Sequence, residues 1–338
     1  MQVGIIGISH FSSSLSLREK IAKVCREEFS HRLTKLSVSH VLLSTCNRTE
    51  IYFSSPDLTE VHGEILQTLR ESMHEPFDQA LYSYFGADCF LHLGRVISGM
   101  DSLIFGESDI QRQVKIAYEL VRKEKPLPPS LHYLFQKGLR IGKQMRTAVL
   151  PTHANLPATI FTLLDCLKNS CKGRRILFIG NSAINRGMIT YFLRKGDEDL
   201  TLCTRSEKVP FPSIKLKEWE SLDNWFDYDV VIAGTYHHEY ILKQNRALED
   251  LKSQTVLFDL GVPRNIDPGL KSHPLLHLYN IDELSQMTNR AKKTSEKEIQ
   301  LCETMVEKAV ERQIELFHLK QQARWRYVAP CEKLAILP

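Results

Sequence analysis

Short apolar runs separated by polar turns open the chain and predict a small β-sheet. Residues 3–8 form one such run, and the runs 40–43 and 51–53 lie on either side of the polar stretch 44–50. Two apolar runs joined by a short polar loop are typical of a β-hairpin. We therefore expect Cys46 to lie at the apex of a hairpin loop, where a thiol is accessible.

Patterns with the helical period follow these strands. Ser16, with Glu19 three residues later, predicts a helix that begins with a capping box. A second amphipathic pattern predicts a helix from about Thr59 to Met73, which Pro76 ends. The first part of the chain is therefore predicted to be α+β.

Glycine interrupts the helical pattern twice between residues 90 and 115. Gly99 and Gly106 are each followed by acidic and hydroxyl side chains. Glycine-hinged polar loops between packed helices are suited to hold a substrate, although they are also ordinary helix ends. His92 lies on an apolar helix face just before the first loop, where a histidine is more often a hydrogen-bonded core residue than a catalytic one.

A strand followed by a helix in the second half is typical of a doubly wound dinucleotide-binding fold. An apolar run ends at Gly180, and residues 184–195 continue as a helix. In such folds the pyrophosphate rests on the helix N-terminus. The G-x-G-x-x-G fingerprint is degenerate, because Ser182 and Asn185 occupy its second and third small positions. We expect Asn185 to loosen the packing of the helix on the strand, or to tilt the helix.

The next strand carries a signal for NADP. The run 200–203 ends in Thr204, Arg205 and Ser206. NAD sites usually have an acidic residue here for the ribose 2′-hydroxyl, whereas a cation with hydroxyls suits the 2′-phosphate of NADP. Further apolar runs at 229–233 and 255–260 extend the predicted parallel sheet.

A long helical pattern without proline or glycine runs from Ile281 to about Arg324. One continuous helix of this length would measure about 65 Å at ~1.5 Å per residue. Such a rod cannot bury its apolar stripe within one compact domain, so we expect a partner helix from a second copy of the chain. The alternative is two helices joined at the polar interval 292–298.

Length and composition point to a multidomain protein of the α/β class. The 338 residues exceed what one core usually supports, and the patterns divide the chain into 1–150, 151–280 and 281–338, with a linker between Pro151 and Pro157. No apolar run reaches the roughly 18 residues of a membrane span, and the N-terminus lacks the basic start of a signal peptide. We expect a cytoplasmic protein that does not enter a membrane.

Positive charge is concentrated between Arg112 and Arg146, where nine Lys and Arg residues occur with two Glu residues. Such a segment is either a phosphate-binding face or a solvated basic helix surface. The first interpretation predicts a nucleic-acid partner.

The 8 cysteines are scattered, without a C-x-x-C pair or a histidine spacing typical of zinc. Neither a disulfide framework nor a metal site is predicted, and the thiols are expected to be reduced. Cys46 stands out because hydroxyls flank it and Arg48 follows two residues later, and nearby positive charge would raise its thiolate fraction. It is either a nucleophile toward an activated carbonyl or an ordinary half-buried cysteine.

Three motifs together resemble the glutamyl-tRNA reductase family over almost the whole chain. They are Ser44-Thr45-Cys46-Asn47-Arg48-Thr49-Glu50, Gly99-Met100-Asp101-Ser102-Leu103 with Gly106-Glu107, and Asp259-Leu260-Gly261-Val262-Pro263-Arg264-Asn265-Ile266-Asp267-Pro268. The resemblance implies an N-terminal α+β catalytic domain that binds glutamyl-tRNA, a central Rossmann-like NADP-binding domain and a C-terminal long-helix dimerisation domain, arranged as a V-shaped homodimer.

The resemblance also implies the reaction. A cysteine attacks the ester of glutamyl-tRNA, the tRNA leaves, and hydride from NADPH reduces the thioester to glutamate-1-semialdehyde, the first step of five-carbon tetrapyrrole (5-aminolevulinate) biosynthesis. The unstable product makes contact with the aminotransferase that consumes it a further expectation.

Individual residues take roles by the same resemblance. Cys46 is the nucleophile, His92 matches a histidine important for activity, and Arg48 is the best candidate for a bidentate pair with a substrate carboxylate. The substrate-contact positions are Thr45, Asn47, Arg48, Ser102, Glu107, Ser108, Asp109 and Gln113. The cofactor-contact positions are Gly180, Asn181, Ser182, Ala183, Ile184, Asn185, Thr204, Arg205 and Ser206.

Some features depart from the family pattern. Asp109 replaces a neutral amide, and a carboxylate facing an acidic substrate would repel it. The chain is shorter than most members at its C-terminus, so the dimerisation bundle would be reduced. Two other functions stay open: a small-molecule NADP dehydrogenase without a covalent step, related to shikimate or methylene-tetrahydrofolate enzymes, and a dimeric RNA-binding or assembly protein without activity.

Overall fold

The computed structural model is an α/β protein with an antiparallel sheet, a parallel sheet and a long C-terminal helix, which confirms the predicted fold class. It describes residues 1–29, 38–103, 105–107, 109–148, 156–168, 173–196, 199–206, 209–244, 248, 251–291 and 296–334. None of its helices in these ranges is long and apolar enough to cross a membrane.

The N-terminal sheet is antiparallel, with the strand order β2-β3-β1-β4. The strands are β1 (Gly4–Ser9), β2 (Ser39–Ser44), β3 (Arg48–Ser54) and β4 (Tyr82–Phe85). The predicted hairpin is confirmed: β2 ends at Ser44, which pairs with Thr49, and β3 begins at Arg48, which leaves Thr45, Cys46 and Asn47 as the loop. Because side chains alternate across a strand, Ile5 and Ile6 of β1 enter separate apolar clusters on the two faces of the sheet.

Helices cover both faces of this sheet. They are α1 (Leu15–Val24), α2 (Leu58–Ser72), α3 (Gly86–Ile97), α4 (Asp109–Glu124) and α5 (Pro129–Ala148), with a π-helical turn Cys25–Phe29 and a 3-10 turn Asp78–Ala80. The expected capping box at Ser16 is wrong. Ser14 caps α1 instead and accepts from the Leu17 N–H, because the serine-rich turn supplies an earlier cap, while Glu19 bonds to Arg264.

The second sheet is parallel, with the order β10-β9-β8-β5-β6-β7. Its strands are β5 (Ile176–Ile179), β6 (Leu200–Cys203), β7 (Lys215–Lys217), β8 (Val230–Ala233), β9 (Thr255–Asp259) and β10 (Leu276–Asn280). Its helices are α6 (Leu156–Lys168) and α7 (Ala183–Lys195), with 3-10 segments Trp219–Asp227 and Pro268–Ser272. The chain reverses direction across the sheet between β5 and β8, and ligands bind at such switch points, beyond the carboxyl ends of the strands.

Pro157 lies in the first turn of α6 rather than in the linker that the sequence suggested, and the remainder of that linker, 151–155, lies outside the described residues. Proline is tolerated in a first helical turn because its missing N–H would have no helical partner there.

Two helices complete the chain: α8 (Ile281–Ala291) and α9 (Glu296–Leu334). The residues that would join them into one rod, 292–295, lie outside the described ones.

The expectation that the apolar stripe of this region needs a second chain is wrong for the first half of α9. Cys302, Val306 and Val310 join the apolar cluster of the N-terminal domain, and Phe317 packs on Tyr133 of α5, with ring centroids 5.0 Å apart. Gly94 of α3 makes room for α9, since a Cβ at this position would stand 3.1 Å from the side chain of Val306.

Candidate active site

The hairpin loop that carries Cys46 is organised by Thr45. The Thr45 hydroxyl accepts from the backbone N–H groups of Asn47 and Arg48, each at 3.2 Å, and the Thr45 N–H donates to the Arg48 carbonyl at 2.8 Å. A hydroxyl that satisfies nearby backbone donors stabilises a tight turn. The predicted position of Cys46 at the apex is therefore confirmed.

The Cys46 side chain is half-buried and packs against the apolar cluster of the nucleotide-binding domain, which includes Leu260 and Val262. Burial and, after it, the nearby Glu107 carboxylate raise the pKa of the Cys46 thiol to about 12, and Arg18 opposes this shift. The expected effect of nearby positive charge is present at Arg18, but burial and Glu107 outweigh it, and the Arg48 guanidinium bonds elsewhere.

A buried carboxylate lies behind the loop and gathers polar side chains around it. Glu50 is fully buried and accepts hydrogen bonds from Arg48 Nη1 (2.9 Å), Tyr52 (2.7 Å) and Tyr82 (2.7 Å). Burial alone would raise the pKa of Glu50, but Arg48, then His92 and the hydrogen bonds outweigh it and hold the pKa well below its usual range. The carboxylate is therefore ionised.

This carboxylate also orients His92. His92 Nε2 lies 2.9 Å from Glu50 Oε1. An ionised carboxylate can only accept, so Nε2 carries a proton in this pair. The other ring nitrogen, Nδ1, lies 3.9 Å from Asp101, and Tyr84 stacks on the ring at 5.0 Å.

Arg48 makes its hydrogen bonds to residues of the N-terminal domain. Its side chain is buried, with Nη1 bonded to Glu50 and Nη2 to the carbonyl of Asp101, while Nε has no hydrogen-bond partner among the described residues. Each terminal nitrogen carries two N–H groups, so these bonds leave one N–H on Nη1 and one on Nη2 in addition to Nε–H. Arg48 is thus the internal partner of Glu50 and still keeps donors for a ligand.

The glycine loop after α3 closes this side of the site. Gly99 and Gly106 have φ angles of 76° and 77°, and a Cβ at Gly99 would come within 2.7 Å of the Glu107 carbonyl. Glycine is required at Gly99 for both reasons. The loop places Ser102 in a buried position, and burial raises the pKa of the Glu107 carboxyl above its usual value.

Asp109, the residue expected to repel an acidic substrate, is paired within its own helix. It begins α4, accepts from Arg112 at 2.8 and 3.1 Å, and accepts from the side chain of Gln113 at 2.8 Å. The arginine balances its charge, and the carboxylate fixes the orientation of the Gln113 amide. Ser108 lies outside the described residues.

Two residues that the sequence analysis missed lie beside the Cys46 loop. The His10 N–H donates to the Asn47 carbonyl at 3.0 Å, and Arg18 lies close enough to lower the pKa of both Cys46 and His10. Burial, Arg48 and Arg18 lower the pKa of His10 to about 4, so its ring is neutral. In the strand pairing Ser9 lies opposite Arg48, which brings the following His10 beside the Cys46 loop.

Four buried polar atoms around this loop have no hydrogen-bond partner among the described residues. They are His10 Nδ1, Arg18 Nε, Asn47 Oδ1 and Arg48 Nε. An unmade hydrogen bond in a buried place costs roughly 1–3 kcal/mol. Donors and acceptors without partners beside one loop are suited to bind a small polar ligand.

The predicted phosphate-binding loop is well formed. Gly180 has a φ angle of 94°, and a Cβ there would collide with Thr235 at 2.4 Å. The Ser182 hydroxyl caps α7 by accepting from the Asn185 N–H at 3.2 Å. The loop therefore exposes the N-terminus of a helix, which attracts phosphate.

The expectation that Asn185 loosens the helix is wrong. Its side chain is fully buried, and Nδ2 donates to the carbonyls of Ile179 and Gly180, both at 2.8 Å. The amide thus replaces the close packing of a small residue with two hydrogen bonds to the end of β5. Arg186, which the sequence analysis did not single out, bonds to the Asn181 carbonyl at 2.8 Å and adds a cation to this turn.

The end of β6 fits the 2′-phosphate of NADP. The Thr204 hydroxyl accepts from the Ser206 N–H at 3.0 Å, and the Arg205 guanidinium lies over the Trp219 ring, 4.4 Å from its centroid. A stacked arginine is held in place while its N–H groups stay available to a phosphate. Hydroxyls and a cation are the groups this ligand requires.

The loop after β9 brings the domain of the parallel sheet against the hairpin loop that carries Cys46. Asp259, nearly fully buried, accepts from the backbone N–H groups of Gly261, Asn265 and Ile266, and burial raises its pKa to about 7 despite these donors. This arrangement fixes the turn that leads to Arg264, which bonds to Glu19 of α1.

The structure therefore assembles the predicted residues in two places. Thr45, Cys46, Asn47, Arg48, His92, Ser102, Glu107, Asp109 and Gln113 cluster at one end of the N-terminal sheet, and Gly180, Asn181, Ser182, Ala183, Ile184, Asn185, Thr204, Arg205 and Ser206 lie at the carboxyl edge of the parallel sheet. Cys46 and Ile184 both pack against the apolar cluster of the parallel-sheet domain.

Comparison with known proteins agrees with this division. Residues 6–149 match the family model of the glutamyl-tRNAGlu reductase N-terminal domain, and residues 163–287 match that of shikimate / quinate 5-dehydrogenase. A solved structure of glutamyl-tRNA reductase from Methanopyrus kandleri superposes with a TM-score of 0.52 at 19% identity, over 96% of this chain and 82% of that one, and supports the fold.

Curated relatives settle the family. Glutamyl-tRNA reductase from Chlamydia caviae is 35% identical over 274 residues, 78% of this chain and 78% of its own length. The enzyme of that name from Chlamydia trachomatis serovar D is 31% identical over 301 residues, 87% of this chain and 86% of its own. The expected resemblance is confirmed, and the chain belongs to the glutamyl-tRNA reductase family of oxidoreductases.

Proposed function

We propose that the chain reduces glutamyl-tRNA to glutamate-1-semialdehyde with NADPH, through a thioester on Cys46, as the first step of five-carbon tetrapyrrole biosynthesis. The observation that carries this proposal is the position of Cys46. It lies at the apex of a rigid loop, among buried polar atoms without partners, and against the nucleotide-binding domain.

The chemistry suits an aminoacyl ester. Its carbonyl is already activated, so the Cys46 sulfur can form a bond to carbon while the ribose oxygen of tRNA leaves with the thiol proton. The high pKa of the free thiol keeps it protonated until substrate arrives. The resulting thioester accepts hydride more readily than an ester or a carboxylate does.

The glutamyl group fits the unpartnered polar atoms. Arg48 Nε–H and Arg18 Nε–H are donors for a carboxylate, and Asn47 Oδ1 is an acceptor for an ammonium group. Thr45, Ser102, Glu107 and Gln113 complete the substrate pocket in this proposal. Ser108 and Asp109 keep the role of neighbouring substrate contacts, with Asp109 acting through Gln113.

His92 acts near the reacting oxygen. Its Nε2–H is held by Glu50, so Nδ1 faces the reacting oxygen, and it can orient or protonate that oxygen when the ring carries a proton on both nitrogens. The Glu50 carboxylate fixes both Arg48 and His92 and so couples the pocket to the catalytic histidine.

NADPH supplies the hydride when it is bound. The residues that would hold it are the Gly180–Asn185 loop for the pyrophosphate and Thr204, Arg205 and Ser206 for the 2′-phosphate. The side chains of Arg205 and Trp219 would orient the adenosine end.

We also propose a cytoplasmic homodimer. The helix α9 continues from Phe317 to Leu334, and Leu319 is 61% exposed, which supports association through its second half. A solution mass of one chain would oppose this. Direct transfer of the semialdehyde to its aminotransferase follows from the reactivity of the product, and a failure of the purified proteins to co-migrate or to transfer product would count against it.

The proposed function is tested by NADPH oxidation in wild type and Cys46→Ala, with glutamyl-tRNA and with free glutamate as substrates. We expect oxidation only in wild type with charged tRNA. Oxidation that survives the substitution would favour a non-covalent dehydrogenase, and tRNA binding without oxidation in either protein would favour an inactive RNA-binding protein.

A further inference from the structure

A basic groove lies between α5 and α9, with a volume of about 460 Å³. Its polar lining is Lys137, Arg140 and Gln144 from α5 and Lys308, Arg312 and Gln313 from α9. The sequence had marked only the α5 side as basic. Packing of α9 on α5 brings two further cations to the same groove, although they lie more than 160 positions later in the chain.

The four cations face one another without a carboxylate among the groove's lining residues. Lys308, Arg312 and Arg140 are exposed, and the described ranges contain no ion pair to any of the four. The glutamates of this part of α9 follow a different stripe, since Glu307 and Glu311 each stand one position before a groove cation and Glu315 continues the same four-residue spacing. Like charges held together without counter-charges favour binding of an anion.

We propose that this groove binds the phosphodiester backbone of tRNA, a proposal that rests on the function given above. Two cations on each wall, along two helices, are suited to successive phosphates, and the amides of Gln144 and Gln313 are suited to phosphate or ribose oxygens without reading sequence. The groove is separate from the residues assigned to the glutamyl group.

The position of the groove suits this role. Arg95 bonds to Asp101 at 3.0 Å and to Glu303 of α9 at 2.9 Å, so Glu303 lies near the glycine loop of the active site. At ~1.5 Å per residue, Lys308 and Arg312 follow about 8 and 14 Å further along α9. A tRNA whose 3′ end reaches Cys46 can therefore lay its backbone along this groove.

The experiment measures binding of uncharged tRNA, which needs no chemistry, over a series of salt concentrations. The variants are Lys308→Gln with Arg312→Gln, and separately Lys137→Gln with Arg140→Gln. The matched control is Lys23→Gln with Lys252→Gln, which removes two exposed cations elsewhere. Thermal unfolding verifies that each variant is folded.

Each groove pair is expected to lower the slope of log affinity against log salt by about 2, since each phosphate contact contributes about 0.9. The control pair is expected to keep the wild-type slope. Reductase activity of the groove variants should show a raised KM for glutamyl-tRNA and an unchanged kcat.

An unchanged slope in both groove pairs would overturn the proposal, and so would an equal loss in groove and control pairs. If the groove instead serves an acidic protein, tRNA binding will be unaffected, which also overturns it. Failure of the proposed function is distinguishable, because wild type would then bind uncharged tRNA without reducing the charged form.

Discussion

Glu19 and Arg264 join the two domains beside the hairpin loop that carries Cys46. The Glu19 carboxylate accepts from the Arg264 backbone N–H at 2.6 Å, from Nε at 3.0 and 3.1 Å, and from Nη2 at 2.9 Å. The adjacent Arg18 bonds to Asp282 of α8 at 2.6 Å. Two successive residues of α1 therefore hold the nucleotide-binding domain against the loop that carries Cys46.

Loss of the Glu19 contact is expected to slow NADPH oxidation while leaving the release of tRNA almost unchanged. In Glu19→Gln, NADPH oxidation should fall at least about tenfold, because small displacements of reacting groups are costly. Release of tRNA from glutamyl-tRNA, which needs only the catalytic domain, should change less than twofold. Both rates are measured on the same preparation, by absorbance and by acid-precipitable charged tRNA.

Glu27→Gln is the matched control for this interface. Glu27 pairs with His238 at 2.9 Å, but both side chains are well exposed, and exposed pairs contribute little. Equal losses of tRNA release and NADPH oxidation in Glu19→Gln would show that Glu19 supports folding rather than domain docking.

Asn185 is expected to stabilise the nucleotide-binding domain. Asn185→Ala leaves the buried carbonyls of Ile179 and Gly180 without their donor, which should lower the free energy of unfolding by about 2 kcal/mol. Urea unfolding measures this loss, with the exposed Asn224→Ala as the control. A free energy of unfolding equal to that of wild type would show that the Asn185 amide does not stabilise the turn.

Glu50 is expected to make stability depend on pH. Because its folded-state pKa is depressed, its contribution is present above the unfolded pKa of about 4.3 and is lost as pH falls below that value. Glu50→Gln strands the buried Arg48 charge and should cost about 3–5 kcal/mol at pH 7.

The cost of Glu50→Gln should shrink as the pH is lowered from about 4 toward 3, because protonation removes the wild-type advantage. Urea unfolding at pH 7 and at low pH tests this, with the exposed Glu220→Gln as the control. The same cost at both pH values would show that Glu50 is not the ionised centre of this network.

The thiol of Cys46 is expected to react slowly in the free protein. With its pKa raised to about 12, alkylation by iodoacetamide should accelerate about tenfold per pH unit from pH 7 to 10 without levelling off. Glu107→Gln removes a negative charge that raises this pKa, so the variant should react faster wherever Glu107 is ionised. Peptide mass spectrometry reports the rate, with the exposed Cys166 as reference. A plateau below pH 9 would contradict the buried, protonated thiol.

Local chemistry made much of the site predictable. The hairpin around Cys46, the glycine turn at Gly99 and the strand-loop-helix at Gly180 each depend on neighbouring residues, and period and turn chemistry identify them. The contacts that were missed are distant in sequence: Glu19 and Arg264 are 245 positions apart.

The other differences between prediction and structure arise because the sequence does not show which residue each side chain contacts. Arg48 was expected by resemblance to pair with a substrate carboxylate, and its bond to Glu50, two residues later, was not foreseen. The sequence predicted the apolar stripe of α9 correctly. Periodicity, however, indicates only that a helix face is buried and does not identify the helix that covers it. Asn185 was expected to loosen the helix because the fingerprint has a small residue at this position. Its amide instead stabilises the turn through hydrogen bonds to the carbonyls at the end of β5.

The most direct test of the account is the intact mass of the protein after incubation with glutamyl-tRNA in the absence of NADPH. We expect wild type to gain one glutamyl group on Cys46, labile to hydroxylamine and discharged when NADPH is added. Cys46→Ala should gain none. An unmodified wild-type protein that nevertheless reduces glutamyl-tRNA would contradict the thioester route.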